Sequence, residues 1–154
     1  MPRKPQSPRT LQRDARNAVE TCAGWNIRSV ARRITQFLEV RLQAAELSFA
    51  QFGLMTEIAA ASDDSISALA TRMGLDQSTL SRTLRTLEAE GLVEIAVAEI
   101  DQRRKLVWLT EKGARRLETA LAVWRKANAE LERLLSVDLV RRLALETEAL
   151  AEDR

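Results

Sequence analysis

ISALATRMGLDQSTLSRTLRTLEAEGLVE, residues 66–94, holds two helical patterns separated by one glycine and followed by a change of period. The first helix, Ser65 to Met73, is short and ends at Gly74, a residue suited to the left-handed turn that closes a helix. The second runs from about Asp76 to Glu90 and is closed by Gly91. Its Leu80, Leu84 and Leu87 fall at i, i+4 and i+7, so one edge must face a core. The opposite edge carries Gln77, Ser78, Ser81, Arg82 and Arg85, with no acid among them. After Gly91, Val93, Ile95 and Val97 alternate with Glu94, Ala96 and Ala98, the period of a strand, and Leu106 to Leu109 is a second β-prone run. Ala98 to Arg104 between them is a polar hairpin tip.

Helix, glycine turn, helix and two-stranded hairpin, in that order, make a helix-turn-helix with a wing, an arrangement that holds one helix out for the major groove of duplex DNA. Arg suits guanine edges and Gln adenine edges, and both reach phosphates. A polar helix face is ordinarily just solvated. Here the glycine turn, the small Ala68 and Ala70 on the preceding helix, and the following hairpin favour the DNA-reading alternative.

Outward on the N-terminal side, Ser48 with Gln51 three places on is a capping-box pattern, opening a helix through Phe52, Met55, Ile58 and Ala59 that stops around 62–64. Before it, Ile27, Val30, Ile34, Phe37, Leu38 and Leu42 recur every three or four positions, a helix from Asn26 to about Ala44. The first twenty residues contain all three prolines and Arg3, Lys4, Arg9, Arg13 and Arg16, and read as an extended basic arm with a helix beginning near Thr10. On the C-terminal side Thr110 caps a long helix with Leu117, Leu121, Trp124, Leu131, Leu134 and Leu135 in its stripe. A final helix follows Ser136 through Leu139, Leu143 and Leu150. These stripes exceed what a small three-helix head can cover, so a second copy of the chain is expected to bury them.

The expected organisation is mainly α (α+β): a basic arm at 1–20, helical dimerisation regions at 21–46 and 113–154, and a winged helix-turn-helix at 47–112. With 154 residues there is room for one such domain. Histidine is absent and cysteine occurs once, at Cys22, so triad hydrolysis, disulfide frameworks and multi-cysteine zinc sites are excluded from the expectation, and no metal or cofactor is foreseen. No carboxylate pair falls at a recognisable catalytic spacing, and no enzyme activity is expected. No apolar run reaches membrane-spanning length and no secretory leader is recognisable, which points to a cytoplasmic protein without a membrane partner. Net charge is only +2, but residues 1–45 hold nine Lys/Arg against three Asp/Glu, residues 46–64 hold four acids and no base, and the rest balances. DNA binding therefore cannot be argued from the isoelectric point.

From Leu47 to Gly113 the sequence resembles the MarR family of winged helix-turn-helix regulators. The resemblance is carried by LSFAQFGLM at 47–55, the 66–94 stretch, Asp101-Gln102-Arg103 in the hairpin and LTEKG at 109–113. It implies a homodimer with interlocked terminal helices, bound to a pseudo-palindromic double-stranded operator, and repression relieved by a small-molecule effector. It also implies that Arg103, with Arg104 beside it, enters the minor groove while Asp101 holds the wing in place. A local turn salt bridge is the plainer account of Asp101 and Arg103. One departure is the apolar Ile95-Ala96-Val97-Ala98 where the family carries basic residues and a proline, which leaves the wing poor in phosphate-binding charge.

By the same resemblance, Trp25, Arg28, Arg32, Phe52, Met55 and Trp124 would wall an effector pocket for an aromatic or anionic ligand. Plain core packing is the commoner fate of such residues. Cys22 sits where a peroxide-sensing branch of the family places its cysteine, yet the chain has no tyrosine to activate the thiol. A cysteine-based redox regulator and a winged-helix protein-interaction module are the alternatives to ligand-controlled DNA binding.

Overall fold

The computed structural model of the protein describes residues 9–61, 65–98 and 103–151. The chain divides into two compact units, 1–37 and 38–154.

The first unit is helical. Helix α1 spans Arg9–Thr21 and α2 spans Ala23–Leu42, the last turn of α2 belonging to the second unit. Helix α1 begins at Arg9, within one residue of the start near Thr10 that the sequence suggests, and residues 1–8 lie outside the described residues. The prolines end there, and nothing between Thr10 and Thr21 breaks a helix. The interruption at Cys22 is a single residue wide: its N–H donates to the Ala18 carbonyl at 3.0 Å, and its carbonyl accepts from Asn26 at 3.1 Å.

The second unit continues through a 3-10 turn, Gln43–Ala45, to α3 (Phe49–Ala60), α4 (Ile66–Met73), α5 (Gln77–Ala89), strands β1 (Val93–Val97) and β2 (Lys105–Leu109), α6 (Glu111–Leu134) and α7 (Val137–Glu146). The capping box forms as its residue types predict: the Ser48 hydroxyl accepts from the Gln51 N–H at 3.1 Å, while the Gln51 side chain accepts from the Ser48 N–H at 2.9 Å. Ser65, Asp76, Thr110 and Ser136 cap α4, α5, α6 and α7. Gly74 ends α4 at φ 59°, the left-handed conformation that glycine adopts without a Cβ penalty. The final helix stops at Glu146, and Leu150 lies in a separate 3-10 turn, Glu148–Ala151.

β1 and β2 pair antiparallel from Val93 opposite Leu109 to Val97 opposite Lys105, and Ser65 adds an isolated bridge to Leu106 on the other side of β2. Val93 and Val107 point to the core while Glu94 and Trp108 face outward, where the Trp108 indole donates to the Glu94 carboxylate at 3.0 Å. The core is continuous: Leu42, Leu54, Met55, Leu69, Leu80, Leu84, Leu87, Leu92 and Val107 come from α2, α3, α4, α5 and the wing, and close on Leu117 and Ala120 of α6.

Candidate nucleic-acid interface

Helix α5 is set by its two edges. Leu80, Leu84 and Leu87 are at most 2% exposed, and fully burying a leucine contributes roughly 1.5–3 kcal/mol, so the rotation of the helix about its axis is fixed. Gln77, Ser78, Ser81, Arg82 and Arg85 are then all exposed on the other edge.

The start of α5 is held by Asp76. Its carboxylate accepts the Ser78 hydroxyl, the Thr79 N–H at 2.9 Å and the Thr79 hydroxyl at 2.8 Å. These donors, the Ser78 hydroxyl foremost, hold the Asp76 carboxyl well below the usual carboxylate range. Ser78 therefore spends its proton on the cap, and its remaining capacity toward a ligand is as an acceptor. The four neighbours on the same edge make no such use of their side chains.

The end of α5 is held by α6. Thr110 donates its hydroxyl to the Gly91 carbonyl at 2.7 Å and its N–H to the Leu92 carbonyl at 3.1 Å, and the Lys112 ammonium donates to the Glu90 carbonyl at 2.6 Å. Gly113 lies so close to this turn that a Cβ on it would sit 1.9 Å from the Leu92 carbonyl oxygen. The LTEKG segment is thus a joint, and its glycine answers to a backbone neighbour rather than to a turn.

Between α5 and the wing runs an open groove. Ser81, Leu84 and Arg85 line it from the helix, Ile95 and Val97 from β1, and Arg103, Arg104 and Lys105 from the far arm of the hairpin. A second depression along α5 is lined by Gln77, Ser78, Ser81, Arg82 and Arg85. Residues foreseen on the helix and on the wing thus share one surface. Asp101, foreseen as the wing's anchor, lies outside the described residues. The Ala98 N–H donates to the Arg104 carbonyl at 2.8 Å, just beyond the paired ends of β1 and β2.

Four groove residues escaped the sequence reading: Ile66, Ser67, Glu88 and Lys105. Glu88 could have been found, since the polar edge of α5 continues from Ser81 and Arg85 to 88 at helical spacing. It places one carboxylate in a groove that also holds Arg85, Arg103, Arg104 and Lys105. Ser67 and Lys105 carry no periodic signal, because they reach the groove only through the pairing of β2 with the start of α4.

Of the residues foreseen around an effector, Phe52 and Met55 are core side chains at 6% and 0% exposure, and Phe52 stacks on half-buried Trp124 with ring centroids 6.3 Å apart. The packing that the residue types favour on general grounds holds for these two. Trp25, Arg28 and Arg32 belong to the first unit, where Arg28 lies over the exposed Trp25 ring at 5.9 Å. Cys22 is a free, exposed thiol.

Comparison with known proteins agrees with this architecture. A MarR family model matches residues 45–104. The transcriptional regulator MosR of M. tuberculosis, solved in complex with DNA, is 31% identical, with a TM-score of 0.77 over 86% of this chain and 97% of its own. A second crystal structure of MosR gives 30% identity and a TM-score of 0.75 over 89% of this chain and all of its own. A mutant MarR from E. coli complexed with operator DNA gives 25% identity and a TM-score of 0.75 over 86% of this chain and 96% of its own. No helix among the described residues is long and apolar enough to cross a membrane. A winged helix-turn-helix with an outward polar edge on its second helix, a cationic hairpin beside it and kinship at this level over nearly the full length lead to one assignment: the chain belongs to the MarR family of transcriptional regulators.

Proposed function

We propose that this protein regulates transcription as a homodimer, each copy laying the exposed edge of α5 in the major groove of a pseudo-palindromic operator. Gln77, Ser81, Arg82 and Arg85 meet base edges or phosphates, Ser78 accepts from a donor on the base edge, and Arg103 and Arg104 follow the adjacent backbone or minor groove. The observation that carries this reading is the division of α5: its leucine edge is sealed and its cation-bearing edge is open and continuous with the wing. The relatives solved on DNA support it. The apolar stretch Ile95 to Val97 makes no phosphate contact, so the wing's share of the affinity rests on Arg103, Arg104 and Lys105.

Dimerisation is supported by α7, which has no buried residue although Leu139, Val140, Leu143 and Leu145 are all apolar. No catalytic or cofactor role is assigned. Relief of repression by an aromatic or anionic ligand draws its support from Arg28 lying 5.9 Å over the exposed Trp25 indole, which puts a cation that pairs with carboxylates beside an aromatic surface.

The test is selection of bound duplexes from a random pool, followed by affinity measurement on the recovered site. An inverted repeat with half-sites about one helical turn apart is expected. Arg82→Ala and Arg85→Ala should each cost about 1–3 kcal/mol of binding if the side chain reads a base edge. Binding should weaken steeply with salt. Unchanged affinity in both variants, or binding insensitive to salt, would sink the assignment and favour a protein partner.

A further inference from the structure

Glu46 is the one non-glycine residue with positive φ among the described residues, at φ 55°, ψ 38°. It joins the 3-10 turn after α2 to the extended stretch before α3. Left-handed backbone is usually filled by glycine or asparagine, because any larger side chain crowds its own backbone there. A glutamate at this point calls for something that glycine cannot supply.

Its carboxylate supplies it. Arg116, in the second turn of α6, places one guanidinium nitrogen 2.9 Å from the Glu46 carboxylate and donates to the Glu46 carbonyl at 3.3 Å. The Arg116 side chain is only 25% exposed, so it is held rather than waving in solvent. The flanking residues Leu42, Ala45 and Leu47 are buried against the same helix near Leu117 and Ala120. A second ion pair, Arg41 with Glu130, links the end of α2 to α6 farther along. The Glu39 carboxylate accepts from the Phe49 N–H at 2.6 Å, tying the end of α2 to the start of α3.

We propose that Glu46 and Arg116 form a positioning pair that fixes the angle at which the last turn of α2 meets the body made by the winged segment and α6, and so the half-site separation that a dimer accepts. This rests on the DNA-binding reading above. Glu46 is largely exposed, and an exposed ion pair adds little to stability. What the pair does is constrain the backbone at a junction between elements, where hinge motions are absorbed. Both recognition helices of a dimer move when that junction moves, because α5 is bolted to the first turn of the same α6 through Thr110, Lys112 and Gly113.

The experiment compares the inverted repeat recovered by selection with duplexes carrying one base pair more or less between the half-sites. Glu46→Gly removes the carboxylate while allowing the left-handed backbone without strain, and Arg116→Met removes the cation while keeping an apolar stem. Thermal melting is measured beside affinity. Glu46→Gly should melt close to the unsubstituted chain, yet its preference for the native spacing should fall about three- to tenfold, the scale of pairwise coupling between contacting residues. Arg116→Met should give the same loss, and the double variant no more than either single one. Should Glu46→Gly fail to fold, Glu46→Asn, which also tolerates this backbone, takes its place. An unchanged spacing preference overturns the proposal, as does equal weakening on all three duplexes, the mark of a merely structural role. If the unsubstituted chain binds no spaced repeat at all, the DNA reading itself fails and the pair loses its role with it.

Discussion

Helices α5 and α7 carry the same kind of pattern and meet opposite fates. In α5, Leu80, Leu84 and Leu87 repeat at helical spacing and are sealed; in α7, Leu139 and Leu143 stand one turn apart with Val140 beside them, and 36–47% of each is exposed. Periodicity shows that a helix face has to be covered, and the surroundings decide by what. For α5 the cover is α3, the wing and the rest of the unit's own core. For α7 no residue is buried by the chain itself, so its cover must come from outside.

The sharpest way to break this contrast is one substitution made in both helices. Leu84→Ala should destabilise the chain by about 2–5 kcal/mol, because the sealed site leaves a cavity. Leu143→Ala should stay within about 0.5 kcal/mol when unfolding is followed at concentrations where the chain is monomeric. In sedimentation the second variant alone should dissociate at higher protein concentration than the unsubstituted chain. Equal losses of stability in both would mean that α7 is covered from within.

The joint between the winged segment and α6 offers the next largest effect. Gly113→Ala puts a methyl group where the Leu92 carbonyl already stands, and backbone cannot swing aside as a flexible side chain can. The expected loss is about 1–3 kcal/mol, read as a lower thermal midpoint, with a matching loss of DNA affinity because α5 ends at this turn. Gly53→Ala serves as the control, since a Cβ there meets nothing within 4 Å. If the two variants melt alike, the joint is looser than its geometry implies.

What the sequence disclosed follows the range of the interactions. Ser48, Ser65, Asp76, Thr110 and Ser136 each announce a helix start because the cap bond closes within three residues. Gly74 and Gly91 announce helix ends for the same reason, and both have positive φ. The leucine edge of α5 was legible from spacing, and with it the exposed edge that forms the candidate interface. Contacts between distant segments were not legible. Nothing near Gly113 in sequence reveals Leu92, nothing near Glu46 reveals Arg116, and nothing near Ser67 reveals that it lines one groove with Lys105. The start of α1 was legible to within one residue, because the prolines occupy only the first part of the N-terminal stretch.

The smallest expected effect separates the two helices by their caps. α5 is capped by the Asp76 carboxylate and α7 by the Ser136 hydroxyl, and only the first can be protonated in the acid range. The folded state lowers the Asp76 pKa through the Ser78 and Thr79 donors, so the unfolded chain binds the proton more readily. The stability that this carboxylate contributes is therefore fully present above the ordinary aspartate value, about 3.9, and is lost as the pH falls below it toward the folded-state value. Asp76→Asn keeps a side-chain oxygen able to accept from the Thr79 N–H but has nothing to titrate. Between pH 5 and pH 3, on the order of the window set by that ordinary value, the urea midpoint of the natural chain should fall further than that of Asp76→Asn. Parallel curves would mean that the Ser78 and Thr79 hydroxyls do not hold the carboxylate in solution, which would return the Ser78 proton to the exposed edge of α5.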